Sequence, residues 1–214
     1  MATAVLVCGW EGDRRIWGRF AELMGERYEV RWWDLREAES WPGSVEVAVA
    51  GRGGEDAAVE MVRAGRAGRA VLVLPEALER GSGSVAAMEE FFPMMASGDF
   101  PDAERRRMVE KLTAHLEPLL SAEALELVRE VNLDVVAVGL ARGAAFRDGG
   151  EEAATPTRES WLDAGAAVGE RMTVLVRAAT PLAPRLPGVQ VKELPTRSEY
   201  PWLEDPDAVV AAIG

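Results

Sequence analysis

Short apolar runs alternate with segments of helical pattern along most of the chain, and this alternation restricts the fold more than any other feature. The first run is almost continuously apolar, as strands buried on both faces of a parallel sheet are. The predicted strands are Ala2–Cys8, Tyr28–Asp34, Val45–Ala50, Ala70–Leu74, Thr173–Val176 and Val189–Leu194. The predicted helices between and after them run from Asp13 to about Met24, over Glu55–Ala64 and over Asp207–Ile213. This order predicts an α/β fold with a mostly parallel sheet of about six strands and helices on its faces.

The pattern changes between about residues 76 and 169, where apolar residues recur at helical spacing and clear strands are missing. Helices are predicted over Val85–Ala96, Ala103–Leu120 and Ala122–Leu140. We therefore expect residues 1–75 and 170–214 to form the sheet domain, and residues 76–169 to form an inserted helical lid.

The connection between the second and third strands is unusually short. It spans Leu35–Ser44, whereas a crossover between parallel strands normally takes a dozen or more residues and includes a helix. We expect a crossover helix to be missing, so that the side of the third strand with Val45, Val47 and Val49 needs another cover. The candidates are the Trp32–Trp41 segment and a second subunit. Because exposed apolar patches usually mark interfaces, a homodimer is favoured.

Composition excludes several classes of partner. A net charge of −12 argues against nucleic-acid binding, which needs a cationic surface. No apolar run approaches the roughly 20 residues of a membrane span, so no membrane is expected. The single cysteine, Cys8, permits no intrachain disulfide, and a reducing compartment is the default. Together these features predict a cytoplasmic protein.

Three stretches, in this order along the chain, resemble parts of the α/β-hydrolase family. They are VLVCGWEGDRRIWGRFAELMGERYEVRWWDLRE, VEVAVAGRGGEDAAVEMVRAGRAGRAVLVLPE and LPTRSEYPWLEDPDAVVAAI. The first resembles the opening of the family's core, the second its nucleophile strand and following helix, and the third the segment that carries its catalytic histidine. The resemblance covers the sheet domain but not the lid, and it implies a shortened α/β-hydrolase.

The catalytic positions implied by this resemblance hold the wrong side chains for ester hydrolysis. The elbow pattern G-x-S-x-G places a serine between strand and helix, and here Gly51 occupies that place in one register and Gly53 in another. The base position holds Glu199 and the acid position holds Thr180. The only histidine, His115, lies in a predicted lid helix. A serine-histidine-acid triad therefore cannot operate at these positions, and we expect no conventional serine hydrolase.

A backbone oxyanion hole would survive the loss of these side chains, and the resemblance assigns it to the amides of Trp10 and Arg52. Arg52 would add a positive charge at a helix N-terminus, and Glu199 would face it from the opposite loop. A carboxylate near an arginine can act as a general base while the arginine and the amides stabilise an enolate. Gly51 and Cys8 are the remaining candidate substrate-binding residues.

Two classes of function remain open. One is an isomerase, lyase or cyclase for a small, largely apolar carbonyl compound, of the kind this fold serves in secondary metabolism, with no cofactor and no metal. The other is a catalytically inert pseudo-hydrolase that binds a ligand or acts as a scaffold, in which an Arg52–Glu199 ion pair fills a dead pocket.

Overall fold

The structure is a computed structural model that describes residues 1–8, 14–34, 43–51, 53–74, 101–147, 167–177 and 188–214. The chain divides into two compact units, of which one comprises Met1–Glu79 with Pro156–Gly214 and the other Arg80–Thr155. The first unit contains the sheet. The use of the second unit as a lid stays a prediction.

Six strands form a fully parallel sheet in the first unit. They are β1 (Ala2–Cys8), β2 (Tyr28–Asp34), β3 (Val45–Ala50), β4 (Ala67–Val73), β5 (Met172–Arg177) and β6 (Gln190–Leu194). They lie in the order β2-β1-β3-β4-β5-β6, and each neighbouring pair is parallel. The predicted sheet is confirmed, and the bounds of the first three strands agree with the prediction residue for residue.

The described α-helices are α1 (Gly18–Gly25), α2 (Glu55–Arg63), α3 (Asp102–Thr113), α4 (Ala122–Arg147), α5 (Pro201–Glu204) and α6 (Pro206–Ile213). Short 3₁₀ turns cover Arg14–Trp17, Ala114–Leu116 and Gly169–Arg171. No helix in the described ranges is long and apolar enough to cross a membrane.

The two faces of the sheet have different covers. On one face, buried side chains of four strands form a cluster with α2, which includes Val5, Val7, Ala48, Ala50, Ala58, Val59, Met61, Val62, Ala70, Leu72, Met172, Val174 and Val176. Trp33 of β2 belongs to the same cluster and is 7% exposed. On the other face, Arg69 of β4 donates to the carbonyl of Ile213 over 2.6 Å, and Lys192 of β6 donates to that of Ala212 over 2.7 Å. Helix α6 therefore lies over the second face.

The valines of β3 were expected to be covered by the Trp32–Trp41 segment or by a second subunit, and the structure shows all three buried within the chain. Val47 and Val49 are fully buried within this single chain. Side chains alternate along a strand, so they point to the face over which α6 lies. Val45 packs instead into the α2 cluster with Trp33, so a tryptophan of β2 contributes to covering that face. The homodimer stays a prediction, but it is no longer supported by an uncovered face of β3. Residues 35–42 of the connection lie outside the described ranges.

In the second unit, the helix predicted over Ala103–Leu120 ends earlier than expected. Helix α3 stops at Thr113, and the turn at Ala114–Leu116 replaces the rest of the predicted helix. Pro118 contributes to this ending, because it has no backbone N–H to bond the carbonyl of Ala114 and its ring would clash with that carbonyl in a continued α-helix. The predicted helix Val85–Ala96 lies outside the described residues, and α4 continues past its predicted end to Arg147.

Arg129 of α4 joins the two helices of this unit. Its Nε donates to the hydroxyl of Thr113 over 3.1 Å, and its guanidinium pairs with Glu117 at 3.0 Å. The hydroxyl of Thr113 in turn donates to the carbonyl of Val109 over 2.7 Å. These polar contacts lie beside the buried side chains of Val109, Leu116 and Val128.

Candidate functional site

The strand order places a topological switch point between β1 and β3. From β1 the chain continues to β2 on one side, whereas β3 pairs with β1 on the other side. Because Val7 pairs with Ala50, the next positions, Cys8 and Gly51, come side by side at the carboxyl edge of the sheet. Open α/β sheets bind ligands at this edge, next to the switch point. Cys8 is fully buried, which suits packing as a small apolar residue.

Gly51 has no room for a side chain. A Cβ atom at this position would lie 2.8 Å from Cζ2 of Trp17 and 3.2 Å from Cη2 of Trp202. The first of these distances is shorter than real Cβ atoms show. A nucleophile could therefore not occupy position 51 without moving these two indoles, and the register that assigns it there is physically unfavourable.

The backbone favours the other register. Gly53 has φ of +77°, and it lies in the turn between β3 and α2. A residue in this left-handed region is strained unless it is glycine, and the nucleophile elbow of the α/β-hydrolase family, which this stretch resembles, is a strained strand-to-helix turn. The turn is closed by a 3.1 Å bond from the N–H of Gly54 to the carbonyl of Gly51. The geometry of the turn therefore fits the register that places Gly53 at its tip, and the assignment of the nucleophile's position to Gly53 or Gly51 stays a prediction.

Two tryptophans pack together against Gly51. Trp17 follows β1 and Trp202 follows β6, and their rings stack with centroids 4.7 Å apart and planes 13° from parallel. Phe20 meets Trp17 edge-on at 5.6 Å, and Tyr200 meets Trp202 edge-on at 6.3 Å. Both indoles are buried, at 1% and 4% exposed. Aromatic rings therefore occupy the space directly beside Gly51.

The loop that carries Glu199 is held by a second carboxylate. Glu204 in α5 accepts the backbone N–H of Arg197 at 3.1 and 3.0 Å, and that of Ser198 at 2.6 Å. The hydroxyl of Ser198, which is fully buried, accepts the N–H of Tyr200 at 3.2 Å. A carboxylate that accepts several N–H bonds fixes the backbone it touches. The conformation of the loop is thus determined on both sides of Glu199.

The same bonds shift the titration of Glu204. Partial burial raises the pKa of its carboxyl group, but the backbone and hydroxyl hydrogen bonds from Ser198 and the backbone N–H of Arg197 lower it. Nearby positive charge on Arg197 acts in the same direction. The hydrogen bonds outweigh the burial, and the net pKa lies below the ordinary value of 4.5.

The predicted site residues are brought together in part. Glu199 is half-buried on the fixed loop, and Gly51 and Cys8 lie at the carboxyl edge of the sheet. Trp10, Arg52 and Thr180 lie outside the described residues, so the oxyanion hole and the pairing of Arg52 with Glu199 stay predictions. His115 is exposed in the second unit. Within the part of the chain that is described, no three His, Cys, Asp or Glu side chains form a group that could hold a metal ion.

Three residues of this region were not singled out from the sequence. They are Trp17, Trp202 and Glu204. A signal for Glu204 was present in the Leu-Glu-Asp-Pro run, since an acid near a buried loop often accepts backbone N–H groups. The stacking of Trp17 on Trp202 has no local signal, because the two residues come from opposite ends of the chain.

Comparisons with known proteins support the fold. No protein-family model and no curated protein sequence matches the chain. Among solved structures, it is similar to a thermophilic esterase from Thermogutta terrifontis, with 19% identity and a TM-score of 0.63 over 100% of this chain and 88% of the esterase. It is also similar to the CarC enzyme, a serine hydrolase involved in carbazole degradation, with 10% identity and a TM-score of 0.54 over 100% and 91%.

A third similar structure is Rv0554 from Mycobacterium tuberculosis, with 19% identity and a TM-score of 0.53 over 100% of this chain and 89% of that one. At such identities the likeness concerns the arrangement of the backbone and not the chemistry of the site. The parallel six-stranded sheet, its strand order and these neighbours together lead to one conclusion. The chain has an α/β-hydrolase fold, in a shortened form.

Proposed function

We propose that this protein is a non-hydrolytic enzyme that moves a proton on a small, largely apolar carbonyl compound, with Glu199 as the general base. One observation carries the proposal. The loop that carries Glu199 is fixed by hydrogen bonds from the N–H groups of Arg197 and Ser198 to Glu204, and the resemblance places Glu199 where the family has its catalytic histidine. A fixed carboxylate at the ligand-binding edge of the sheet is suited to proton abstraction.

The described residues do not supply the nucleophile that ester hydrolysis needs. Position 53 offers no nucleophile, and position 51 has no space for one. The hydroxyl of Ser198 is buried and engaged with Tyr200 and Glu204, so it is held away from the role of a nucleophile. An acyl-transfer mechanism needs both a nucleophile and an imidazole or similar base beside it. Chemistry that needs only a base and an oxyanion hole remains compatible with the site.

The proposed step is the removal of a proton from the carbon next to a carbonyl group. The proton passes to the Glu199 carboxylate, and the electron pair of the broken C–H bond moves to the carbonyl oxygen. The amides of Trp10 and Arg52, with the guanidinium of Arg52, would stabilise the resulting enolate. Return of the proton to a different carbon gives an isomerase, loss of a leaving group gives a lyase, and attack of the enolate within the substrate gives a cyclase.

Deuterium exchange tests this step without knowledge of the natural substrate. Acetophenone has exchangeable methyl protons next to its carbonyl, and their replacement in D₂O is followed by proton NMR. We expect the protein to accelerate this exchange and Glu199→Gln to reduce the acceleration at least about 100-fold, as loss of a general base does. Glu193→Gln is the matched control, because Glu193 is an exposed acid on β6 of the same region. Equal exchange by the Glu199→Gln variant and the unmodified protein would contradict the proposal.

A catalytically inert ligand-binding or scaffold protein is the second candidate. The observation that favours it is the packing of Trp17 and Trp202 against Gly51, which fills space beside the end of β3. This candidate predicts that acetophenone can bind without any exchange of its methyl protons. The exchange measurement therefore separates the two candidates.

A further inference from the structure

The buried tryptophan pair has an unmet hydrogen-bonding requirement. Among buried side chains in the described ranges, three polar atoms lack a hydrogen-bond partner, and they are Nε1 of Trp17, Nε1 of Trp202 and Oγ1 of Thr196. Native proteins rarely leave buried donors unpaired, since such donors lose their bonds to water and gain nothing in return. Two of the three atoms belong to one stacked pair. An acceptor supplied from outside the described protein atoms would remove this cost.

The position of the pair suits a ligand. Cζ2 of Trp17 lies against Gly51, and a single ring carbon separates Cζ2 from Nε1 of the same indole. The indole N–H of Trp17 is therefore close to the end of β3, beside the switch point between β1 and β3. Trp202 and Thr196 both come from the segment that follows β6. All three donors thus belong to segments at the carboxyl edge of the sheet, where this class of fold binds ligands.

The chemistry of the pair indicates what it would bind. Indole N–H and hydroxyl groups are neutral donors, and Phe20 packs against the ring of Trp17 while Tyr200 packs against the ring of Trp202. Such an environment favours an uncharged oxygen acceptor on an apolar body, because a charged group would lose its hydration without gaining a counter-charge. A ketone carbonyl meets both requirements.

We propose that the indole N–H groups of Trp17 and Trp202 donate hydrogen bonds to a carbonyl compound bound at this edge of the sheet. The ligand class rests on the proposed function, but the inference concerns binding and makes no use of Glu199. The inference gives Trp17 and Trp202, which lie outside the catalytic positions, a role in selecting ligands that contain oxygen over pure hydrocarbons.

The test uses two ligands of nearly the same shape on the unmodified full-length protein. Acetophenone carries a carbonyl oxygen, whereas isopropylbenzene has a methyl group and a hydrogen in its place. Labelling tryptophan with ¹⁵N makes the indole N–H resonances visible by NMR, and Trp17→Phe and Trp202→Phe variants assign them. We expect acetophenone to shift both resonances saturably and to bind about tenfold more tightly than isopropylbenzene, as one buried hydrogen bond would produce.

Substitutions provide a second measurement. Trp17→Phe keeps an aromatic ring but removes the N–H, so it should reduce the preference for acetophenone over isopropylbenzene. Trp32→Phe is the control, because Trp32 is a half-buried tryptophan on β2 that lies beneath the guanidinium of Arg14. Two results on the unmodified protein would overturn the inference. They are equal affinity for the two ligands, and the absence of a saturable shift of either indole resonance at millimolar acetophenone. Neither result depends on whether the Trp17→Phe variant folds.

The outcomes of the two proposals are distinguishable. Binding of acetophenone with shifts of both indoles, but without deuterium exchange, would leave the donor role intact and refute the general base. Exchange that depends on Glu199 without any shift of the two indoles would refute the donor role and leave the general base intact.

Discussion

The carboxylate of Glu204 accepts the backbone N–H of Ser198 over 2.6 Å, across six positions of the chain. With the two contacts to the N–H of Arg197, this bond joins the start of the loop at Thr196–Tyr200 to helix α5. The half-buried Glu199 follows directly after the bonded residues. Loss of the carboxylate should therefore disturb this loop first.

Replacing Glu204 by glutamine should lower the free energy of unfolding by about 1 kcal/mol. The amide keeps the shape of the side chain, but it presents one oxygen in place of two charged ones, so the bonds to Arg197 and Ser198 weaken. Urea denaturation measures the change through its midpoint at constant slope. The exposed Glu193 on β6 supplies the control, and Glu193→Gln should leave the midpoint unchanged. A Glu204→Gln midpoint equal to that of the control would refute this role.

The contribution of Glu204 should depend on pH in one direction. Its pKa is lowered in the folded protein below the ordinary value of 4.5, by the hydrogen bonds from Ser198 and Arg197 acting against partial burial. A carboxyl group with a lowered pKa stabilises the fold above its unfolded pKa and loses that effect as the pH falls through its folded pKa. The stability difference between the unmodified protein and Glu204→Gln should therefore be constant from pH 7 to about 5 and shrink below 4.5. A difference that grows as the pH falls would contradict this sign.

Substitution of Gly51 by alanine should destabilise the protein by about 1 to 3 kcal/mol, as overpacking of a core does. The new methyl group would meet Trp17 at 2.8 Å and Trp202 at 3.2 Å, and both rings are held by stacking. Gly18→Ala is the comparison, because nothing lies within 4 Å of a Cβ at that position in α1. Thermal or urea denaturation measures the stability of the two variants. Equal stabilities would show that the indoles can move to make room for the methyl group.

Arg69 should anchor the C-terminal helix. Its guanidinium donates to the carbonyl of Ile213 at 2.6 Å, to that of Gly214 at 3.3 Å and to the hydroxyl of Tyr28 at 3.3 Å. Arg69→Met keeps much of the apolar stem and should cost about 2 kcal/mol, as the loss of charge-assisted hydrogen bonds does.

Arg63→Met is the control for this substitution. Arg63 is exposed and pairs with Glu60 in the same helix, and such pairs contribute little. Hydrogen exchange should also become faster in α6 of the Arg69→Met variant and stay unchanged in α2. Unaltered exchange in α6 would mean that Arg69 is not needed to hold the helix.

The protein should not hydrolyse small activated esters above the rate without protein. Neither Gly51 nor Gly53 supplies a nucleophile, and the hydroxyl of Ser198 is buried and bonded. The measurement is the release of 4-nitrophenol from its acetate over a range of substrate concentrations. A saturable rate that disappears in Ser198→Ala or His115→Ala would show that one of these residues takes part in hydrolysis after all.

The local elements of this protein follow from its sequence. Ala2–Cys8, Tyr28–Asp34 and Val45–Ala50 are strands as predicted, because short runs rich in apolar and β-branched or aromatic residues, alternating with helical segments, are typical of the strands of a parallel sheet. The glycine turn after β3 was also evident, since a left-handed residue at Gly53 needs a residue without Cβ.

Only the tertiary structure decided which surfaces those elements bury and which distant side chains meet. The sequence left open what covers Val45, Val47 and Val49, and packing buries Val45 in the α2 cluster and Val47 and Val49 within the chain. Likewise, no local pattern brings Trp17 onto Trp202 or closes the space above Gly51. Periodicity depends on neighbours a few residues apart, whereas these contacts depend on how the segments after β1 and β6 fold back over the same edge of the sheet.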